Sequence, residues 1–306
     1  MSNLDLQRQF FAEELEAVCR LRSPALVDAF AAVPRERFLP PGPWSVWAES
    51  DVAMSMAMAA KPGGHAGGGG LRLQATPDAD PRRVYHNVSV AIDPARSLFN
   101  GQPGTLAVWL DALDLPSGGR VLHVGGGLGY YTAVMAHVVG PAGRVVAYEV
   151  DAALAASAQA NLASMAWVDV RHGDASSGID GPFDAIVVNA GVTHPLDAWL
   201  DALAPGGRMI LPITAGMPAM GSTLGKGLVL LVTRGDADAF AVRIFTVVAV
   251  YSAIGLRDAS LDERIGKALM AGPMQWTKVQ RLRRDAHDPG ESCWLHLPNC
   301  CFSVDS

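Results

Sequence analysis

Four glycines, Gly125, Gly126, Gly127 and Gly129, break the run RVLHVGGGLGYYTAV at residues 120–134. Glycine loses more conformational freedom on folding than other residues. A cluster therefore marks a turn that side chains cannot fit, or a backbone that a ligand approaches closely. Twenty residues beyond Gly129, Glu149 closes the apolar run RVVAYEV. In a strand–glycine turn–helix unit, an acidic residue at that distance ends the next strand and holds ribose hydroxyls. A carboxylate suits this task because it accepts from two hydroxyls at once. The stretch HGDASSG follows at 172–178, where Asp174 is placed to accept from an adenine amino group.

Two ligand classes share this plan. The dinucleotide fingerprint is G-x-G-x-x-G/A. Counted from Gly125, its last position is Tyr130, and counted from Gly127 it is Thr132. Tyr130 is too large for the close helix approach that this position serves, which speaks against a nicotinamide oxidoreductase. The spacing G-x-G-x-G is instead the form common in S-adenosylmethionine-dependent methyltransferases, whose ligand has no pyrophosphate to cradle. The competing reading of the loop is a tight turn with no ligand.

The elements that must position these groups are legible as alternating strands and helices. Residues 104–115 read as a helix, Val121–Val124 as a buried strand, and Tyr131–Val139 as a helix. Arg144–Val150 is a strand, Ala152–Met165 a helix, Val168–Arg171 a short strand and Phe183–Asn189 another. Pro195–Leu203 is a helix and Arg208–Ile213 a strand. Such alternation predicts βαβ units and a mostly parallel sheet covered on both faces, a Rossmann-like α/β fold. Two later apolar runs, Leu228–Thr233 and Phe240–Val250, flank GDAD and read as a hairpin on the sheet edge. Ahead of this domain, residues 4–32 read as two short helices and VPRERFLPPGPW as an extended segment. KPGGHAGGGG (61–70) reads as a loop or linker. The expected division is 1–85, an N-terminal helical segment with a glycine-rich insertion; 86–254, the cofactor-binding domain; and 255–306, a C-terminal extension. In that extension Asp258–Met270 reads as a helix and KVQRLRRD as a solvated helix face.

The 306-residue chain is long enough for a sizeable core, and its net charge of −6 argues against nonspecific nucleic-acid binding. The amphipathic N-terminus lacks the apolar core of a signal peptide, and no uncharged apolar stretch suggests a membrane span. The four cysteines, Cys19, Cys293, Cys300 and Cys301, form no CxxC pair, and no His/Cys cluster shows zinc spacing. Few cysteines in a long chain suit a reducing cytoplasm, and no metal is expected.

In aggregate, VPRERFLP (33–40), VLHVGGGLGYYTAV, AYEV, HGDASSG, FDAIVVNAG and LAPGGRMILP resemble, in order, the motifs of the protein-L-isoaspartate O-methyltransferase family. The resemblance covers roughly residues 25–250. It implies a Rossmann-like fold that binds S-adenosyl-L-methionine and transfers methyl to a carboxylate. It carries the cofactor role onto Gly125, Gly127, Gly129, Glu149 and Asp174 with its neighbour Ala175, and puts Asn189 and Ala190 beside the methionine end. His123 stands where the family has an acidic residue and would offer a neutral nitrogen acceptor. The family's Thr-Ile-Ser-(Gln/Ala)-Pro run corresponds to SLFNGQPG (97–104), with Gly101 in the serine position. Ser97, Asn100, Gly101 and Gln102 are the candidates for the catalytic, substrate-holding segment; the competing reading for the three polar side chains is capping and turn formation. The expected function is O-methylation of a carboxylate on a peptide or protein, either isoaspartyl or a dedicated modified peptide. The alternative is a noncatalytic cofactor- or peptide-binding protein of the same fold.

Overall fold

β-branched runs that stay apolar on both faces can persist only inside a sheet covered from both sides. The computed structural model places such runs at the centre of a ten-stranded sheet. It describes residues 2–48, 73–96, 98–216, 223–236 and 238–304. Two compact units emerge, one made of residues 1–114 and 127–138, the other of 115–126 and 139–306. Residues 86–114, grouped by sequence with the cofactor domain, cluster with the first unit.

In the first unit, α1 (Asn3–Cys19) starts at a reciprocal cap, in which Asp5 N–H donates to Ser2 Oγ and Ser2 N–H to the Asp5 carboxylate. Helix α2 (Pro24–Ala32) has Ser23 as its cap and Pro24 in its first turn, where a missing N–H costs nothing. The expected extended segment is corrected here: Arg35–Phe38 form a 3-10 turn. A four-stranded antiparallel sheet follows, in the order β2-β1-β3-β4, from β1 (Ser45–Ala48), β2 (Gln74–Ala75), β3 (Val88–Asp93) and β4 (Leu98–Phe99). Helices α3 (Pro103–Leu113) and α4 (Tyr130–Val139) complete the unit's elements.

The second unit is built on β5 (Arg120–Val124), β6 (Arg144–Glu149), β7 (Val168–His172), β8 (Phe183–Val188) and β9 (Leu203–Gly216). These run parallel in the spatial order β7-β6-β5-β8-β9. Counted from β5, this is the doubly wound order 3-2-1-4-5, in which the winding reverses between β5 and β8. Helix α5 (Ala152–Leu162), capped by the Asp151 carboxylate, links β6 to β7, and α6 (Asp197–Ala202) precedes β9. At the amino ends, Arg120 N–H donates to Asp184 Oδ2 at 2.8 Å, so Asp184 serves the strand start.

β10 (Leu224–Arg234) and β11 (Phe240–Tyr251) continue the sheet as an antiparallel hairpin. This hairpin is not at the edge. The chain goes on through α7 (Asp262–Met270) and α8 (Pro273–Trp276) into β12 (Arg281–Arg283), β13 (Cys293–His296) and β14 (Cys301–Ser303), which extend the same sheet in the order β11-β12-β14-β13. KVQRLRRD is therefore a strand, not a helix face. Two of its arginines are paired: Arg283 with Asp285 at 2.6 Å, and Arg284 with Asp201 at 2.6 Å and Asp238 at 3.3 Å. Among the described residues no helix is long and apolar enough to cross a membrane.

Candidate active site

In open α/β sheets a ligand lies beyond the carboxyl ends of the strands, at the point where the winding reverses. Here that point lies between the ends of β5 and β8. The backbone N–H of Asn189 donates to Val124 O at 2.8 Å, and its side-chain Nδ2 donates to Gly125 O at 3.3 Å. The N–H groups of Gly125 and Gly126 both donate to Tyr148 O at 2.9 Å, which ties the glycine turn to the end of β6. Gly125 holds φ +84°, and a Cβ there would lie 3.3 Å from Asn189 O, so both conformation and space exclude a side chain. Gly127 (φ +54°) and Gly129 (φ +95°) continue the turn toward α4, and a Cβ on Gly127 would meet nothing within 4 Å.

Two carboxylates stand at the next strand ends. Glu149 closes β6; its Oε1 accepts from Asp151 N–H at 3.0 Å and its carbonyl from Gly173 N–H at 2.9 Å, so its position is set from both sides. Asp174 follows β7 and accepts from Ser176 N–H at 3.0 Å. Hydrogen bonds from the Ser176 side chain and backbone hold its carboxyl below the usual range, so it is an ionised acceptor at neutral pH. Ala175 is buried in a left-handed conformation (φ 58°), and its carbonyl accepts from Trp199 Nε1 at 2.9 Å. It shapes the turn through its backbone. His123 is wholly buried in the middle of β5, between Ala147 and Val187, and desolvation pulls it down to about 4. It is neutral near pH 7, consistent with a nitrogen acceptor and with a packed core residue.

The rim carries a residue that the sequence did not suggest. Gly255 comes within 3.0 Å of Asp174 Oδ2, measured from the position of a Cβ. The segment after β11 folds back on the end of β8, with Ala253 N–H donating to Gly191 O and Arg257 Nη1 to the same carbonyl.

The substrate candidates lie in the first unit. Ser97 falls outside the described residues, as does the 61–70 loop. Gly101 has φ +67°, and a Cβ would sit 3.1 Å from Leu106 Cδ2 and 3.3 Å from Tyr131 Cε2. Its carbonyl accepts from Tyr131 Oη at 3.2 Å and Arg35 Nη2 at 3.5 Å. Arg35, from VPRERFLP, is fully buried with no carboxylate partner among the described residues; its guanidinium also donates to the carbonyls of Val84, His86 and Val88. It clamps the backbone that leads into the 98–102 segment. Gln102 occupies the cap position of α3 without a side-chain cap bond, and Nε2 reaches Asn87 O at 3.4 Å. The capping bond comes from Asn87, whose Oδ1 accepts from Gly104 N–H at 2.7 Å. Capping was the competing reading for Gln102, and Asn87 performs it. Asn100 Nδ2 is buried with no partner among the described residues, a donor in want of an acceptor. Tyr130, which spoiled the dinucleotide fingerprint, is buried beside Phe30 and Phe38 with the Arg35 guanidinium 5.8 Å from its ring centre.

A further cluster lies outside this site. His287, Cys293, His296 and Cys301 converge, their ligand atoms all within 4.8 Å of one another. Spacing did not reveal them because the set straddles a loop and two strands. Density could have: five of the chain's 12 His and Cys residues (8 and 4) fall in the 15-residue window 287–301, Cys300 being the fifth.

The sheet order and the carboxylates after its second and third strands define a Rossmann-like methyltransferase. The family described as protein-L-isoaspartate(D-aspartate) O-methyltransferase matches residues 74–223. The chain is 33% identical over 236 residues to a protein-L-isoaspartate O-methyltransferase of Methylorubrum extorquens, covering 76% of this chain and 82% of the relative. It is 32% identical over 217 residues to protein-L-isoaspartate O-methyltransferase 1 of Rhodopseudomonas palustris, covering 70% and 71%. A Plasmodium falciparum structure assigned to the same enzyme class, in complex with S-adenosyl-L-homocysteine, superimposes with a TM-score of 0.56 at 17% identity, covering 80% of this chain and 97% of that one. The chain belongs to the protein-L-isoaspartate O-methyltransferase family.

Proposed function

We propose that this protein is an S-adenosylmethionine-dependent methyltransferase that esterifies a carboxylate on a peptide or protein, of isoaspartyl type. The supporting observation is the pair of carboxylates, Glu149 and Asp174, at successive strand ends beside the point where the winding reverses between β5 and β8. The donor set fits the cofactor: Glu149 accepts from the ribose hydroxyls, ionised Asp174 from the adenine amino group, and the tight Gly125 turn admits close backbone approach. When bound, the cofactor supplies an electrophilic methyl on a sulfonium. The substrate carboxylate is already ionised near neutral pH, so the protein needs no strong general base. The chain's contribution is to align the attacking oxygen with the methyl–sulfur bond and to exclude water. Asn100 Nδ2, a buried donor, and Gln102 Nε2 are the groups proposed to hold the carboxylate. None of the four cysteines is in a disulfide, which suits a reducing cytoplasm.

The test is incubation with S-adenosylmethionine and matched isoaspartyl and aspartyl peptides, read by mass spectrometry. A gain of one methyl on the isoaspartyl peptide, with the peptide KM raised and S-adenosylhomocysteine affinity unchanged in Asn100→Ala, is expected. Tight S-adenosylhomocysteine binding with no methylated peptide would favour the noncatalytic reading.

A further inference from the structure

We propose that His287, Cys293, His296 and Cys301 bind one zinc ion and that this ion fixes the last strands of the sheet. The chemistry of the set is specific. Two thiolates cancel the charge of Zn2+, two neutral imidazoles complete four-coordination, and an S2N2 tetrahedron selects zinc among common divalent ions. All four positions are protein ligands, which makes the site structural rather than catalytic. The four ligand atoms lie within 4.8 Å of one another. Tetrahedral zinc holds such atoms about 3.3–3.8 Å apart, so closure needs about 1 Å of side-chain movement.

The backbone explains why the residues meet. His296 and Cys301 are directly paired across β13 and β14. Cys293 and His296 are three apart and would point to opposite faces of a regular strand. A bulge between Cys293 and Leu295 restores the parity: Cys293 pairs with Ser303 and His296 with Cys301, two residues on one face. His287 arrives from the loop between β12 and β13. Its Nδ1 lies 2.9 Å from Asp285 O, which fixes that nitrogen as the donor and leaves Nε2, 3.4 Å from Cys293 Sγ, as the ligand. Gly290 N–H donates to Cys293 Sγ at 3.4 Å, the outer bond that a coordinated thiolate requires. The ring of His296 stands edge-on to that of His287 at 4.9 Å. His296 Nδ1 is buried with no partner among the described residues. Adjacent Cys300 belongs to the hydrophobic core instead, which makes it an internal control. Binding replaces two S–H bonds by two Zn–S bonds and releases two protons to solvent.

The experiment uses the untagged full-length chain, and methyl transfer is not a readout. Elemental analysis of purified protein is expected to give one zinc per chain. Cobalt(II) added to the stripped, reduced protein is expected to give tetrahedral ligand-field bands with a thiolate charge-transfer band. Cys293→Ser with Cys301→Ser loses the metal, and Cys300→Ser keeps it. Should the double variant not fold, alkylation of the wild-type chain decides: zinc protects Cys293 and Cys301 but leaves Cys19 as reactive as before. The proposal is overturned if the reduced wild-type chain takes up neither zinc nor cobalt at stoichiometric concentration, if Cys300→Ser abolishes uptake equally, or if rapidly alkylated protein carries a Cys293–Cys301 disulfide.

Discussion

At one end of the ten-stranded sheet, β7, β6, β5 and β8 run parallel, and each is five or six residues long. At the other end, β12, β14 and β13 are antiparallel and three or four residues long. The parallel strands bury side chains such as Val121, Leu122, Val146 and Ile186 on both faces. Their order is thus maintained by the core, and the groups at their ends, Glu149 and Asp174, are left for binding. The short strands join the same hydrophobic core through Leu282, Leu295 and Phe302, and β14 is buried throughout. On the two proposals above, the same sheet uses ionisable side chains to bind the cofactor at one end and a metal at the other.

The comparison breaks most visibly on metal removal. Stripping zinc is expected to speed amide exchange at Leu282, Leu295 and Phe302 by about 100-fold or more, while amides of β5 and β8 keep their protection, as read by hydrogen-exchange mass spectrometry. Equal loss at both ends would mean that the two regions unfold as one. Next in size, Glu149→Ala removes charge-assisted bonds of about 1.5–3 kcal/mol each, so affinity for S-adenosylhomocysteine is expected to fall about 100-fold or more by calorimetric titration. Exchange at the short strands should not change.

His123 sharpens the contrast through pH. Its folded value, about 4, lies below the ordinary 6.5, so the unfolded chain takes up the proton first. Its contribution is complete above pH 6.5 and is lost as pH falls toward 4, amounting to about 3 kcal/mol at about 1.4 kcal/mol per unit. Urea titrations at stepped pH should show this slope in the wild type and a flatter one in His123→Asn. The smallest effect belongs to the amino ends of the parallel strands. Asp184→Ala removes the acceptor of Arg120 N–H and is expected to cost about 1 kcal/mol with cofactor affinity unchanged.

The parallel half was legible because strands buried on both faces read as unbroken apolar runs, and because Glu149 follows its glycine turn at a distance set by one helix and one strand. What chain distance could not supply was long-range return. Gly255 reaches Asp174 only because the segment after β11 bonds back to Gly191. Asn87 caps α3 from seventeen residues upstream, a role assigned by sequence to nearer polar residues. KVQRLRRD was taken for a helix on its charge. Its centre, however, alternates exposed Arg281, buried Leu282 and half-buried Arg283, the period of a strand. The proposed metal ligands were hidden by a bulge, since parity along a strand cannot be read where one residue is inserted.

Gly101 bears on how freely such a chain can change. Its left-handed backbone, the carbonyl fastened by Arg35 and Tyr131, and the Leu106 methyl 3.1 Å from where a Cβ would stand act together. Placing at this position the serine that the family resemblance implies meets a conformational penalty of about 1–2 kcal/mol and requires the Leu106 methyl to shift. Trimming Leu106 would relieve that contact. Backbone conformation, carbonyl bonds and packing at this single position thus act as one constraint on what can stand there.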